Sequence, residues 1–376
     1  MTLAAQIERS AELKHELVQF ALTPRFDRER RHLLRGQFGK RPEHIGEADL
    51  IAAIDGFVLQ HPLRDGTTVL ERFVAHRSDL SEEDRELLLG WRETVEGMFE
   101  VQRLEGDSVI VENLIDELTY QVYSNMGPSV FAHLEPGGFC IGRIVPIGSV
   151  WLVSGNLACY AKADQTLMYS IAYESAMTHP EAVFRNPEKL TRARELVTAE
   201  HTRFIDFFGA DLVTIPGPQL TGRMREFYDY CQDRMQASAD LPGLAFAYPP
   251  VLTESEAVAV IHDATDGLGL YGGFAAVAAL FADPTLLDRP AHRRLLRDYL
   301  DDDTVLPTLF DRLAADDPDR ANEVFRKYLG NKGFDWKADG EALMRRYKSK
   351  YFAAPRLPGI VPIGAKLSQY AARETE

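Results

Sequence analysis

Cysteine is scarce, with Cys140, Cys159 and Cys231 the three in 376 residues. Their separations fit no CxxC metal or redox spacing and an odd number leaves one over, so the expectation is reduced thiols in a cytoplasmic protein. Long apolar runs are missing as well. The longest uncharged stretches, 144–160 and 267–282, are shorter than the roughly 20 apolar residues that span a bilayer, and each carries Gly or Pro. The first twenty residues carry charges at helical spacing where an export signal would be apolar. Positive charge is in deficit, with a net charge of −15, which argues against a wholly basic nucleic-acid binder. No P-loop, GxSxG, HExxH or Ser-His-Asp arrangement stands out, so no catalytic motif and no cofactor can be named.

What is present describes a folded chain: 45% hydrophobic and 26% charged residues are ordinary for globular proteins. The segments LKHELVQFAL, GEADLIAAIDGFVLQHPL and SEEDRELLLGWRETVEGMF repeat apolar residues at helical spacing. From Phe99 to Lys162 the period changes to two, in FEVQRL, DSVIVENL, LTYQVYSN, GFCIGRIVPIG and VWLVSGNLACY. Five short strands in that span predict a small barrel, similar in size to SH3-like and OB-like barrels. Within it Trp151 is expected in the core and Arg143 pointing outward by alternation. Helices return after residue 163, among them ESEAVAVIHDA, PAHRRLLRDYL, PDRANEVFRKYL and GEALMRRYK. The expected fold is α+β, mainly helical, with a five-stranded barrel-like segment at 99–162 between helical regions at 1–98 and 163–376, and a sub-boundary near 237–252.

Three motifs in the second half invite chemistry. His262 and Asp263 are adjacent on what reads as an apolar helix, and the dyad resembles the centre of the HD phosphohydrolases. That resemblance implies a metal completed by an earlier His, here His201, and a later Asp, here Asp298 or Asp301, activating water against a phosphoester. Gly267, Gly269 and Gly272 spell GxGxxG, but a dinucleotide fingerprint needs a strand feeding a helix, and the expectation is a helix C-cap at Gly267 before a tight loop. The run Asp301 to Asp303 could ligate a cation, and the plainer reading is acids compensating the start of a new helix.

Charge is also uneven. Residues 24–41 hold seven Arg or Lys against two acids, and 320–356 hold ten against four. The second segment interleaves cations with aromatics, and Arg326, Lys327, Trp336, Arg345, Arg346 and Lys348 are the candidate binding residues, since such mixtures neutralise phosphates and stack bases. A solvated helix face has the same pattern. The leading expectation is therefore a non-enzymatic binding or adaptor protein with a nucleic-acid or protein partner at 24–41 and 320–356. The alternative is a metal-dependent phosphohydrolase at His262 and Asp263.

Overall fold

The first helix, α1 (Leu3–Ala21), starts where the Thr2 hydroxyl accepts from the Ala5 N–H, and it buries Leu13, Leu17 and Ala21, four residues apart on one face. A computed structural model describes residues 2–39, 45–234, 248–353 and 356–374. After α1 come α2 (Asp27–Phe38), α3 (Glu47–Leu59), α4 (Val69–His76) and α5 (Glu82–Gly90). Thr68 and Glu71 close a capping box on α4, and Ser81 caps α5. The period of 3.6 expected to run on from α5 to Phe99 stops at Gly90, and 95–99 belong to a strand. Phe57, Phe73, Leu88 and Trp91 join Leu13 and Leu17 in one core.

The next five strands are β1 (Val95–Glu105), β2 (Ser108–Asn113), β3 (Thr119–Tyr123), β4 (Phe139–Ile147) and β5 (Val150–Tyr160). They close a barrel in the order β1-β2-β3-β5-β4, with β3 and β5 parallel and the other pairs antiparallel. The connectivity is that of an OB-like Greek key. A bulge between Val101 and Arg103 lets β1 bend to pair with both β2 and β4. The interior is filled by Val95, Phe99, Val111, Tyr120, Val122 and Ile144, so the barrel encloses packed side chains. Trp151 packs edge-on against Tyr120 at 4.9 Å. Helix α6 (Gln165–Thr178) follows and completes the first of two compact units, 1–178 with 363–374.

The second unit, 179–362, holds α7 (Pro180–Val183), α8 (Pro187–Phe208), β6 (Leu212–Ile215), α9 (Gly217–Arg234), α10 (Pro250–Thr253), β7 (Val258–Asp263), β8 (Gly267–Gly272), α11 (Phe274–Ala282), α12 (Pro290–Asp301), α13 (Pro307–Asp316), α14 (Pro318–Leu329), α15 (Trp336–Tyr347) and α16 (Ser349–Ala353). Strands β6, β7 and β8 form one antiparallel sheet. Val258 and Val260 of β7 enter a core with Phe204, Met224 and Phe227 of α8 and α9. Ala259 and Ile261 enter another with Phe281, Phe310 and Phe325 of α11, α13 and α14. A strand buried on both faces is apolar without alternation, which is why VAVIH reads as a helix in the sequence and is a strand in the fold. The sub-boundary near 237–252 falls largely on 235–247, outside the described residues.

The chain then returns to the first unit as α17 (Ala365–Glu374). Leu367 of this helix is buried, and Lys366 is bonded to Glu100 at 2.8 Å and Glu112 at 3.1 Å. Among the described residues no helix is long and apolar enough to cross a membrane.

Candidate functional site

The His-Asp dyad sits on a strand, and its two side chains do separate jobs. His262 ends the alternation begun by Val258 and Val260, so it faces α8, where its Nε2 lies 3.2 Å from Glu200 Oε2 and its Nδ1 is buried without a partner. His201 does come close, its ring centroid 5.6 Å from that of His262, but its Nδ1 is spent on the His262 carbonyl oxygen at 2.8 Å. Asp263 Oδ1 accepts from the backbone N–H groups of Thr265 and Asp266 and shapes the hairpin turn that Gly267 closes at φ +83°. The expected C-cap at Gly267 is corrected with the helix it belonged to. Gly267, Gly269 and Gly272 lie inside β8 of an antiparallel hairpin, away from the parallel geometry of a dinucleotide site.

Asp301 ends α12, and the next helix begins six residues later at Pro307. The acids thus stand at a helix C-terminus, where the dipole opposes them. Lys348 answers them: its ammonium, 1% exposed, donates to the carbonyls of Tyr299 at 2.8 Å and of Asp302. Lys350 meets Asp303 at 2.5 Å. Among the described residues no group of three or more His, Cys, Asp or Glu side chains could hold a metal.

The six candidate binding residues divide. Lys348 is buried as described, Arg326 donates to the Phe334 carbonyl at 2.7 Å, and Lys327 pairs with Asp288 at 2.8 Å, so all three brace the helices. Arg346 is exposed beside the Tyr347 ring. Trp336 and Arg345 line a cleft of about 700 Å³ together with Lys337, Tyr351, Phe352 and Arg356. Two acids share it: Glu341 pairs with Arg345 at 2.7 Å, and Asp311 has its carboxyl pushed up by burial. In the first basic segment, Lys40 and Arg41 lie outside the described residues, and Arg28, Arg31 and Arg35 line a second cleft of about 700 Å³ with His32 and Glu29.

A site that the sequence did not single out lies in the first unit. Lys14, Val18 and Leu22 recur every fourth residue on α1, one row beside the buried Leu13–Leu17–Ala21 stripe. Arg30 and Leu34 of α2 and Leu50, Ile51, Ile54 and Asp55 of α3 add two more walls, and Gly155 of β5 the last. These enclose a mostly apolar pocket of about 560 Å³ in which Leu22, Leu50 and Ile51 stay roughly two-fifths exposed. The polar element is a buried pair: Lys14 Nζ is 2.5 Å from Asp55 Oδ1 and 2.9 Å from Ser154 Oγ, which itself donates to Asp55 Oδ1 at 2.9 Å. Burial pushes the Lys14 ammonium down despite Asp55 beside it. Asp55 is 3% exposed, and its Oδ2 is buried without a hydrogen-bond donor.

A bulge builds this end of the pocket. The β4–β5 register steps from Gly142↔Leu157 to Arg143↔Ser154, with Gly155 at φ +72°, and so turns Ser154 onto Asp55. Arg143 points away from the barrel interior as alternation requires, yet α3 covers it there. It donates to Gln60 Oε1, the Ala52 carbonyl and Glu96 Oε2 at 2.6–2.9 Å, which fixes α3 against the strand. The barrel wall itself presents no cationic face at Glu100 and Glu112, which Lys366 neutralises. Set against known protein families, curated proteins and solved structures, the chain matches none of them.

Proposed function

We propose that the chain is a non-enzymatic binding protein whose first unit takes a small, uncharged amphipathic molecule. Its apolar body would lie against Val18, Leu22, Leu50 and Ile51, and a hydroxyl or amide N–H would donate to Asp55 Oδ2. The observation that carries this reading is the unpartnered carboxylate oxygen of a 3% exposed aspartate at the wall of an apolar pocket. A buried acceptor without a donor is destabilising by about 1–3 kcal/mol, and a ligand donor would recover that energy on binding. A neutral donor suits the site best, because a carboxylate would face Asp55 and an ammonium would face Lys14 and Arg30.

The test is calorimetric titration of the full chain with dodecanol and dodecane below their solubility limits and with dodecanoate and dodecylammonium below their micellar concentrations. Dodecanol should bind most tightly and raise the thermal midpoint. Ile51→Glu, a change at a 43% exposed position, should remove binding and leave the ligand-free midpoint in place. Equal binding of dodecanol and dodecanoate, or unchanged binding by Ile51→Glu, would overturn the reading.

One observation favours a second reading, contact with single-stranded nucleic acid in the second unit. Lys337, Arg345 and Arg356 line one cleft with Trp336, Tyr351 and Phe352, offering cations for phosphates beside rings for bases. The phosphohydrolase reading draws no comparable support, since its dyad is split between a strand end and a turn.

A further inference from the structure

Cys140 and Cys159 are 19 residues apart in sequence and directly opposite one another in the β4–β5 register. Their sulfurs stand 4.0 Å apart, Cys140 donating its S–H. Opposed residues of an antiparallel pair have Cα atoms about 4.5–5.5 Å apart, within the roughly 4.4–6.8 Å that disulfides span. Bringing the sulfurs to a bonding distance of about 2.05 Å therefore asks for side-chain rotation without backbone movement.

The two thiols are unequal. Cys140 is 2% exposed in the barrel core, and Cys159 is half-buried beside the exposed His133. The S–H of Cys140 and the nearby His133 both favour the Cys159 thiolate, pushing that thiol down to about 6 against burial. The same bond and burial push Cys140 up. One sulfur is thus a reachable nucleophile and the other a protected thiol within its reach.

We propose that Cys159 and Cys140 form a dithiol site oxidised by hydroperoxides, with Cys159 as the attacking sulfur and Cys140 as the resolving one. The Cys159 thiolate attacks the O–O bond of hydrogen peroxide or a small alkyl hydroperoxide. A sulfur–oxygen bond forms, the O–O bond breaks, and the departing oxygen takes a proton to leave as water or alcohol, giving the Cys159 sulfenic acid. The Cys140 sulfur then attacks the Cys159 sulfur. The S–S bond forms, the S–O bond breaks, and hydroxide leaves with the Cys140 proton as water. The pair loses two electrons, the peroxide gains them, and an external thiol returns the pair to the dithiol.

The experiment treats the reduced, folded full chain with stoichiometric hydrogen peroxide and maps its peptides without reduction, with dimedone present in a parallel sample. Wild type should yield a Cys140–Cys159 linked peptide, and Cys231→Ser should yield the same link. Cys140→Ser should accumulate a dimedone adduct at Cys159. In Cys159→Ser, peroxide-dependent oxidation of Cys140 should fall at least about tenfold, because the more accessible thiolate is gone. The proposal is overturned if folded wild type forms no such link, if pairings with Cys231 occur as often, or if Cys140 in Cys159→Ser oxidises as fast as the wild-type pair.

Discussion

Lys14 and Asp55 meet at 2.5 Å across α1 and α3, and the carboxylate spends only Oδ1 on the pair, sharing it with Ser154 and leaving Oδ2 without a donor. Removing one partner of a buried ion pair strands the other, at a cost of roughly 3–5 kcal/mol. The Lys14 side chain keeps 22% exposure, so Lys14→Met should fall near the lower end of that range. Asp55→Asn should be milder, because burial already pushes the Lys14 ammonium toward its neutral form. The double variant Lys14→Met, Asp55→Leu should recover at least half of the single loss. Urea midpoints of the four proteins give the comparison.

Gly155→Ala should be destabilising by roughly 1–3 kcal/mol, since its φ of +72° is left-handed and a Cβ there would stand 3.0 Å from Asp55 Cγ. Gly66→Ala shares the positive φ, at +82°, but meets nothing within 4 Å, and it should lose less. The difference between the two midpoints isolates the push on Asp55, and dodecanol affinity should fall only in Gly155→Ala.

Lys348 gives the second unit a pH signature. Burial pushes its ammonium down to about 8, against the attraction of Asp302, Asp303 and Asp301. Between pH 8 and the ordinary lysine range the unfolded chain holds a proton that the folded chain has released, so stability rises with pH across that window. The increment is up to about 3 kcal/mol. Lys348→Met should flatten this rise between pH 8 and 10, as read from denaturant midpoints against wild type, and a slope unchanged by the substitution would contradict it.

If the second unit contacts single-stranded nucleic acid, Lys337→Glu with Arg345→Glu should weaken binding of a fluorescent oligothymidine at least about tenfold at low salt, and the gap should narrow as salt rises. Lys327→Glu should change affinity little, because that cation is tied to Asp288. Anisotropy titrations at two ionic strengths decide between these outcomes.

The barrel and most helices were legible because their signals are local. In β3 and in the first half of β5 buried residues alternate with more exposed ones, so the period of two shows, β1, β2 and β4 are marked by their β-branched and aromatic residues, and Thr68, Ser81 and the turn glycines punctuate the chain where the fold needs them. Strand β7 was illegible as a strand because both its faces are buried, on α8 and α9 on one side and on α11 to α14 on the other, and that erases alternation. The dyad argument at His262 and Asp263 failed with it. Lys348 looked like a solvated cation in a basic run, yet it is held by two carbonyls more than forty residues earlier in the chain.

For the pocket, the sequence carried one signal: α3 is apolar on more faces than a single core contact requires, with Leu50, Ile51 and Ile54 beside Asp55. Sequence by itself determined the barrel segment, the helices on either side of it and the acidic balance, since each follows from residue type at fixed local spacing. Only the tertiary structure decided that Lys14 meets Asp55 and that Cys140 faces Cys159. Both meetings depend on which elements pair and in what register, and that is set by burial summed over the whole unit and not by the residues that happen to meet.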